Sequence, residues 1–278
     1  MVKATPARVH GFDVVLNEGD TYPAIVAAFP FFNAPLVELI EQMRLFRERP
    51  LVVVDVGAAI GDTVLLLQQR CSGAVEKFIC VEGNSEFLEL LRANVSRFDN
   101  VQIVAQLLAR ERRSIPSLVQ HHPGSAAASG DTSVEAIPLD EIAALDSVSI
   151  DVLKVDVDGS DGEVLAGAWE LLNRCKPAVI FEWHPKLIEQ TGSDCHAAFI
   201  ALTGCGYDRF LWFTNTGLFN HFEEGFSPVV VSKLASYLLA VNHRADEHFD
   251  VIALHPSHAF SELDLAVMNF ARRAAELG

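Results

Sequence analysis

Residues 52–62 read V-V-V-D-V-G-A-A-I-G-D: an apolar β-branched run, an acid, two glycines and the start of a helical pattern. A continuous apolar run of this kind describes a strand buried on both faces, which belongs in a parallel sheet flanked by helices. The turn after it places backbone N–H groups and a helix start at the strand's carboxyl end, where open α/β sheets hold ligands. Residues 151–165, D-V-L-K-V-D-V-D-G-S-D-G-E-V-L, describe another buried strand that brings two carboxylates to the same rim. A ligand and a reacting group held side by side predict an enzyme.

The surrounding pattern agrees. Residues 63–70 suit a helix on a sheet, and residues 77–81 form a short apolar strand that ends at Glu82. Ser85 is placed to cap a helix carrying Phe87, Leu91, Val95 and Phe98 at helical spacing, and residues 101–108 are strand-like again. This β-α-β-α-β order is the mark of a doubly wound α/β sheet. Residues 110–135 interrupt it as a polar, irregular insertion containing His121 and His122. Further on, a short helix at 139–145, a strand at 152–157, one long helix at 162–174 and a strand at 178–181 are expected. Strands at 207–213 and 249–254, with a turn at 215–217 and a helix at 229–241 between them, suit an antiparallel edge pair. A final amphipathic helix after Ser261 carries Leu265, Met268 and Ala271. Residues 1–50 supply one short strand (12–15) and a helix (35–46) as an extension packing on the core formed by 51–278.

Composition narrows the partners. The 278 residues are 50% hydrophobic, enough for a large core. The formal charge is −16, with 37 acids against 21 bases, which disfavours nucleic acid and acidic membrane surfaces. Five scattered cysteines without a C-x-x-C pair favour a reducing compartment. The most apolar stretch, 24–40, is interrupted by Pro30, Asn33 and Pro35, so no membrane span is expected. The expectation is a cytoplasmic protein acting on a small molecule, with homo-oligomerisation left open.

The loop after the first strand is D-x-G-x-x-x-G, through Asp55, Gly57 and Gly61. It differs from the G-x-G-x-x-G that seats a pyrophosphate, and its acid suits a ligand carrying an ammonium group. A strand-to-helix turn with packing glycines is the plain alternative. Glu82 ends the next strand, where a carboxylate can accept two ribose hydroxyls; nicotinamide enzymes use the same device. Asp156 and Asp158, two apart in extended chain, point the same way, and Glu182 and His184 repeat the spacing. These groups could hold Mg²⁺ through Asp156, Asp158 and Glu182, or raise one member's pKa for general-base work on a hydroxyl. Asp161 or Ser160 can simply cap the following helix. Phe210, Trp212, Phe213, Phe219 and Phe222 are better explained as core than as a pocket. Trp183 is the aromatic expected against a ligand.

Taken together, V-D-V-G-A-A-I-G, F-I-C-V-E-G-N, L-K-V-D-V-D-G-S-D-G-E-V-L-A-G-A and I-F-E-W-H make residues 51–185 resemble the FkbM family of S-adenosylmethionine-dependent methyltransferases. The resemblance implies a Rossmann-like, mostly parallel seven-stranded class I methyltransferase sheet with an antiparallel edge strand. It implies methyl transfer to a hydroxyl of a sugar, glycan or natural product. It assigns Asp55, Gly57, Ala58, Gly61, Glu82 and Asn84 to the cofactor, and Asp156, Glu182 and His184 to the reacting end. The family often carries asparagine where this chain has Ala59, proline at Gly83, and glutamate at Asp158 and Asp161. A nicotinamide-dependent oxidoreductase and a non-catalytic cofactor-binding regulator or scaffold are the rival readings.

Overall fold

The computed structural model describes residues 4–122, 125–241 and 247–261 together with Leu265 and Asn269; the side chains at 120–122 and 125 lie outside the description. His121 and His122, as candidate ligands, and Met268 and Ala271 of the expected last helix therefore fall outside the described residues.

An N-terminal hairpin comes first, β1 (Ala4–Val9) against β2 (Phe12–Asn17), joined at His10 and Gly11, both with positive φ. Two left-handed residues give the turn that matches strand twist, so the one expected strand gains a partner. Helices α1 (Tyr22–Ala28) and α2 (Ala34–Arg47) lead into β3 (Leu51–Val56), α3 (Asp62–Arg70), β4 (Val75–Glu82), α4 (Ser85–Val95) and β5 (Val101–Ala105). Then come β6 (Leu107–Leu108), β7 (Arg113–His122) and β8 (Ser125–Ile137), which form a separate three-stranded sheet. The remainder is β9 (Val152–Val155), α5 (Asp161–Ala166), α6 (Trp169–Cys175), β10 (Ala178–Trp183), α7 (Pro185–Thr191), α8 (Ala197–Gly204), β11 (Arg209–Thr214), β12 (Phe219–Glu224), α9 (Pro228–Val241) and β13 (Phe249–Leu254).

The main sheet has the order β12-β11-β13-β10-β9-β3-β4-β5. Strands β10, β9, β3, β4 and β5 run parallel, while β13 lies antiparallel between β10 and β11. These are the seven expected strands. The turn at 215–217 adds β12 as an eighth, antiparallel on the outer edge. From β3 the chain winds outward through β4 and β5, then returns to place β9 on the other side of β3. The carboxyl ends of β3 and β9 thus bound the switch point, where such sheets open a crevice.

Strand alternation builds two cores. Val52, Val54 and Val56 face one layer with Phe199, Leu202 and Leu238, while Leu51 and Val53 face Leu36, Ile40 and Leu67 in the other. Each such side chain contributes about 1.5–3 kcal/mol through burial. Helix α2 is clamped at its far end by the buried Asp151, which meets Arg47 at 3.1 Å and Arg49 at 2.9 Å and accepts Val52 N–H at 2.9 Å. Its other end lies over the rim of the sheet.

Three local expectations change. In place of an irregular loop over 110–135, β7 and β8 pair as long antiparallel strands; their polar composition reflects exposure, and their register shifts twice. The helix expected over 162–174 is two, α5 and α6, because the backbone at Gly167 passes Ala109 too closely for a side chain (a Cβ would lie 2.5 Å from Ala109 O). Asp140 then caps the second piece, accepting Glu170 N–H at 2.8 Å and Leu171 N–H at 2.9 Å. The expected short helix at 139–145 is two 3₁₀ turns, Leu139–Glu141 and Ala143–Leu145. No helix among the described residues is long and apolar enough to cross a membrane.

Candidate functional site

At the end of β3 the chain enters left-handed backbone. Gly57 has φ +79°, and a Cβ there would sit 1.8 Å from Asp156 O, so only glycine lets β3 and β9 close on each other. Ala58 is buried, and its N–H reaches Val81 O at 3.3 Å. Ala59 holds φ 42° without being glycine. Its N–H donates to Glu82 Oε2 at 2.9 Å, which helps hold that conformation. Gly61, with φ +85°, begins α3, and a Cβ there would come 2.6 Å from Val95 Cγ1. Asn94 braces this loop, donating to Ile60 O at 2.9 Å while pairing with the Val15 backbone.

Glu82 closes β4. Its Oε1 accepts Asn84 N–H at 2.7 Å and its Oε2 accepts Ala59 N–H at 2.9 Å. Both oxygens are therefore oriented, and each keeps lone-pair capacity for a hydroxyl donor. Burial pushes this carboxyl upward, and the backbone N–H groups of Asn84 and Ala59 oppose it. Asn84, rather than Ser85, caps α4, its Oδ1 accepting from Glu86 N–H and Phe87 N–H. Ser85 is the first helical residue.

Beside the switch point, alternation and register line up a row of charges. Asp55 pairs in register with Lys154 on β9, and Glu182 on β10 pairs with Asp250 on β13. Lys154 Nζ lies 3.4 Å from Asp55 Oδ1 and 3.1 Å from Asp156 Oδ2. Asn33 and Pro35 at the start of α2 close over Lys154, Asp156, Glu182 and Asp250, leaving a cleft of about 20 Å³, room for about one water. Burial alone would lower the Lys154 ammonium, but Asp156, Asp55 and Asp62 outweigh it and hold it protonated. The acids move the other way. Burial, then repulsion from Asp156, pushes Asp250 up to about 7 and Glu182 well above its ordinary range. Burial also lifts Asp62 to about 6, with Lys154 opposing.

The divalent-cation site expected from Asp156, Asp158 and Glu182 is not assembled. Strand β9 ends at Val155, and Asp158 turns left-handed at φ 50°, so Asp156 and Asp158 do not extend side by side. Asp156 takes Lys154, Asp158 Oδ2 accepts Ala126 N–H at 3.2 Å, and Glu182 Oε1 meets His248 Nε2 at 3.3 Å. Among the described residues, only Asp194, Cys195 and His196 bring three such ligand atoms within 4.8 Å of one another. Lys154 thus supplies the local positive charge.

His184 is buried and stacks on His248 with ring centroids 4.8 Å apart, while the Asp156 side chain is 46% exposed. Trp183 points away from the site. Alternation sends it into the opposite core, against Trp212 at 5.2 Å, with its indole N–H on Cys195 O at 2.9 Å. Phe210, Trp212 and Phe213 are core, as expected. Asp161 is buried at the first position of α5, where burial and Asp156 push its carboxyl well up.

Lys154, His248, Asp250 and the α2 start did not stand out in sequence. Lys154 had a signal: it is the lone cation in an apolar strand, two residues before Asp156. The others come from distant segments and are joined only by strand pairing.

The methyltransferase FkbM domain model matches residues 55–209, more than half of the chain. Among solved structures, the chain is similar to an FkbM methyltransferase from Methylobacillus flagellatus: 18% identity, TM-score 0.43, covering 58% of this chain and 40% of that one. It is also similar to a precorrin-6y C5,15-methyltransferase from Geobacter metallireducens (14%, TM-score 0.41, 78% and 84%). A third is an O-methyltransferase from Bacillus cereus in complex with S-adenosylhomocysteine (12%, TM-score 0.41, 84% and 88%). The chain spans less than half the length of the first of these. No curated protein matches the sequence.

Proposed function

Because this chain belongs to the FkbM methyltransferase family, we propose that it transfers the sulfonium methyl of S-adenosylmethionine to a hydroxyl oxygen of a sugar, glycan or natural product. The residues present fit that cofactor. Glu82 offers two pre-oriented acceptor oxygens for a ribose diol. The rim around the switch point carries Asp55, Asp62, Asp156, Glu182 and Asp250 about the ammonium of Lys154. Burial first, and repulsion from Asp156 second, raise Glu182 and Asp250, and a ligand bearing an ammonium and a sulfonium would relieve that repulsion.

One observation carries the reading. Asp156 is the exposed carboxylate of a set that is otherwise buried or half-buried, and it lies at the carboxyl end of β9 beside the glycine turn. There it can accept the acceptor's hydroxyl proton while Lys154 keeps it oriented. Glu182, His248 and His184 are positioning residues behind it. The helix start narrows the cleft to about one water, and holding the partners together at this rim favours an in-line displacement.

The test is calorimetric titration with S-adenosylmethionine, followed by turnover of hydroxylated acceptors with ¹³C-methyl-labelled cofactor. Saturable binding and a methyl carbon bonded to oxygen are expected, and Asp156→Asn should abolish turnover while binding persists. Silence toward S-adenosylmethionine in folded protein defeats the cofactor reading. A methyl bonded to carbon, nitrogen or sulfur defeats the acceptor class.

A further inference from the structure

On the face formed by α8 and α9, away from the charged row, three side chains make a continuous hydrogen-bond chain. Asp194 Oδ1 lies 2.8 Å from His196 Nδ1, and His196 Nε2 lies 2.9 Å from Ser232 Oγ. One neutral tautomer satisfies both contacts: Nδ1–H donates to the carboxylate, and Nε2 accepts the serine proton. Asp194 is further fixed because its Oδ1 accepts the His196 backbone N–H at 2.9 Å, which also holds its carboxyl below the ordinary value. A nucleophile within reach of a base, itself oriented by a carboxylate, is the arrangement that activates a serine.

The chain of contacts opens on a groove of about 490 Å³, within the range of small-molecule sites. Ile200 and Val229 line it and are 56% and 62% exposed, with Phe226 deeper. Lys233 lines the same groove and offers a positive charge to an oxyanion. Two neighbours compete for the imidazole. Pro228 O lies 3.3 Å from Nε2, where it can accept a hydrogen bond from the imidazolium, and Cys195 Sγ lies 3.6 Å from Nδ1. Burial pushes the Cys195 thiol up, so it stays protonated and leaves the nucleophile's role to Ser232.

We propose that Ser232, His196 and Asp194 form a second, hydrolytic site that cleaves carboxylic esters with a short apolar acyl group. Ser232 Oγ bonds to the ester carbonyl carbon as its proton passes to His196 Nε2. The C–O bond to the alcohol then breaks, and His196 returns the proton to the departing alkoxide. Water, deprotonated by His196, attacks the acyl-serine; Ser232 regains its proton, and the acid is released. Nothing is oxidised or reduced.

The full-length chain should be treated with a fluorophosphonate probe and the adduct mapped by mass spectrometry, alongside p-nitrophenyl butyrate hydrolysis. A single adduct at Ser232 is expected. Hydrolysis should fall at least about a hundredfold in Ser232→Ala and in His196→Gln, with melting temperature and S-adenosylmethionine binding unchanged. Hydrolysis should also persist in a chelator, because both imidazole nitrogens are already engaged by Asp194 and Ser232. No adduct at Ser232, hydrolysis that survives Ser232→Ala, or loss of hydrolysis on chelation would each overturn the proposal. The mapping on unaltered protein decides the matter even if a variant folds poorly.

Discussion

Asp55 and Lys154 face each other across neighbouring parallel strands, the ammonium 3.4 Å from a carboxylate that is wholly buried. Removing the cation leaves that charge uncompensated. Lys154→Met should cost about 3–5 kcal/mol, read from denaturant unfolding. The double variant Asp55→Asn, Lys154→Met should recover most of the loss. A single variant as stable as the parent would show that the pair contributes nothing.

Asp158 governs part of the pH response. Burial, then Asp156, raises its carboxyl to about 7 from an ordinary value of 3.8, so the folded state binds the proton more tightly than the unfolded chain. Its contribution to stability is therefore complete below pH about 4 and is lost as pH rises towards about 7. Asp158→Asn should flatten that fall, by up to a few kcal/mol, in melting temperatures taken from pH 4 to 8. Asparagine also tolerates the left-handed backbone at this position. Parallel pH profiles in both proteins would refute the assignment.

Glu82→Gln keeps the shape of the side chain but exchanges one acceptor oxygen for a donor. We expect S-adenosylmethionine affinity to weaken at least about tenfold, close to the 1.4 kcal/mol of one hydrogen bond, while folding persists. Calorimetry would settle it, and unchanged affinity would remove Glu82 from the cofactor site.

The glycine turn should respond with opposite signs two residues apart. Gly57→Ala drives a methyl to 1.8 Å from Asp156 O at φ +79° and should destabilise by roughly 3 kcal/mol or more. Ala59 already holds φ 42°, so Ala59→Asn should raise stability by about 0.5–1 kcal/mol. Thermal melts of the two variants give both signs at once.

Much of this molecule is legible in its sequence. The apolar runs at 52–56 and 152–155 and the acid and glycines after the first of them sufficed for a parallel sheet with a ligand rim, because burial on both faces demands that composition. Glu82 at a strand end was readable for the same reason, since the run stops where the sheet does. Left-handed backbone and close backbone approach were not. Asp158, at φ 50°, breaks the extended spacing that would have set it beside Asp156, and Gly167, pressed against Ala109, splits a helix whose periodicity continues across it. Asn84 took the cap from Ser85, one residue along, since either side chain suits that place.

Apolar patterning along the chain is enough to say which segments are buried, and therefore where the sheet and its ligand-facing rim lie. What meets at that rim follows from strand pairing. Register sets Lys154 against Asp55 and Asp250 opposite Glu182, and a shift of one residue would send each to the opposite face. The same alternation turned Trp183 into the far core and filled a predicted metal cluster with a lysine. Ser232 and His196, 36 residues apart, become partners through the packing of two helices that no local pattern records.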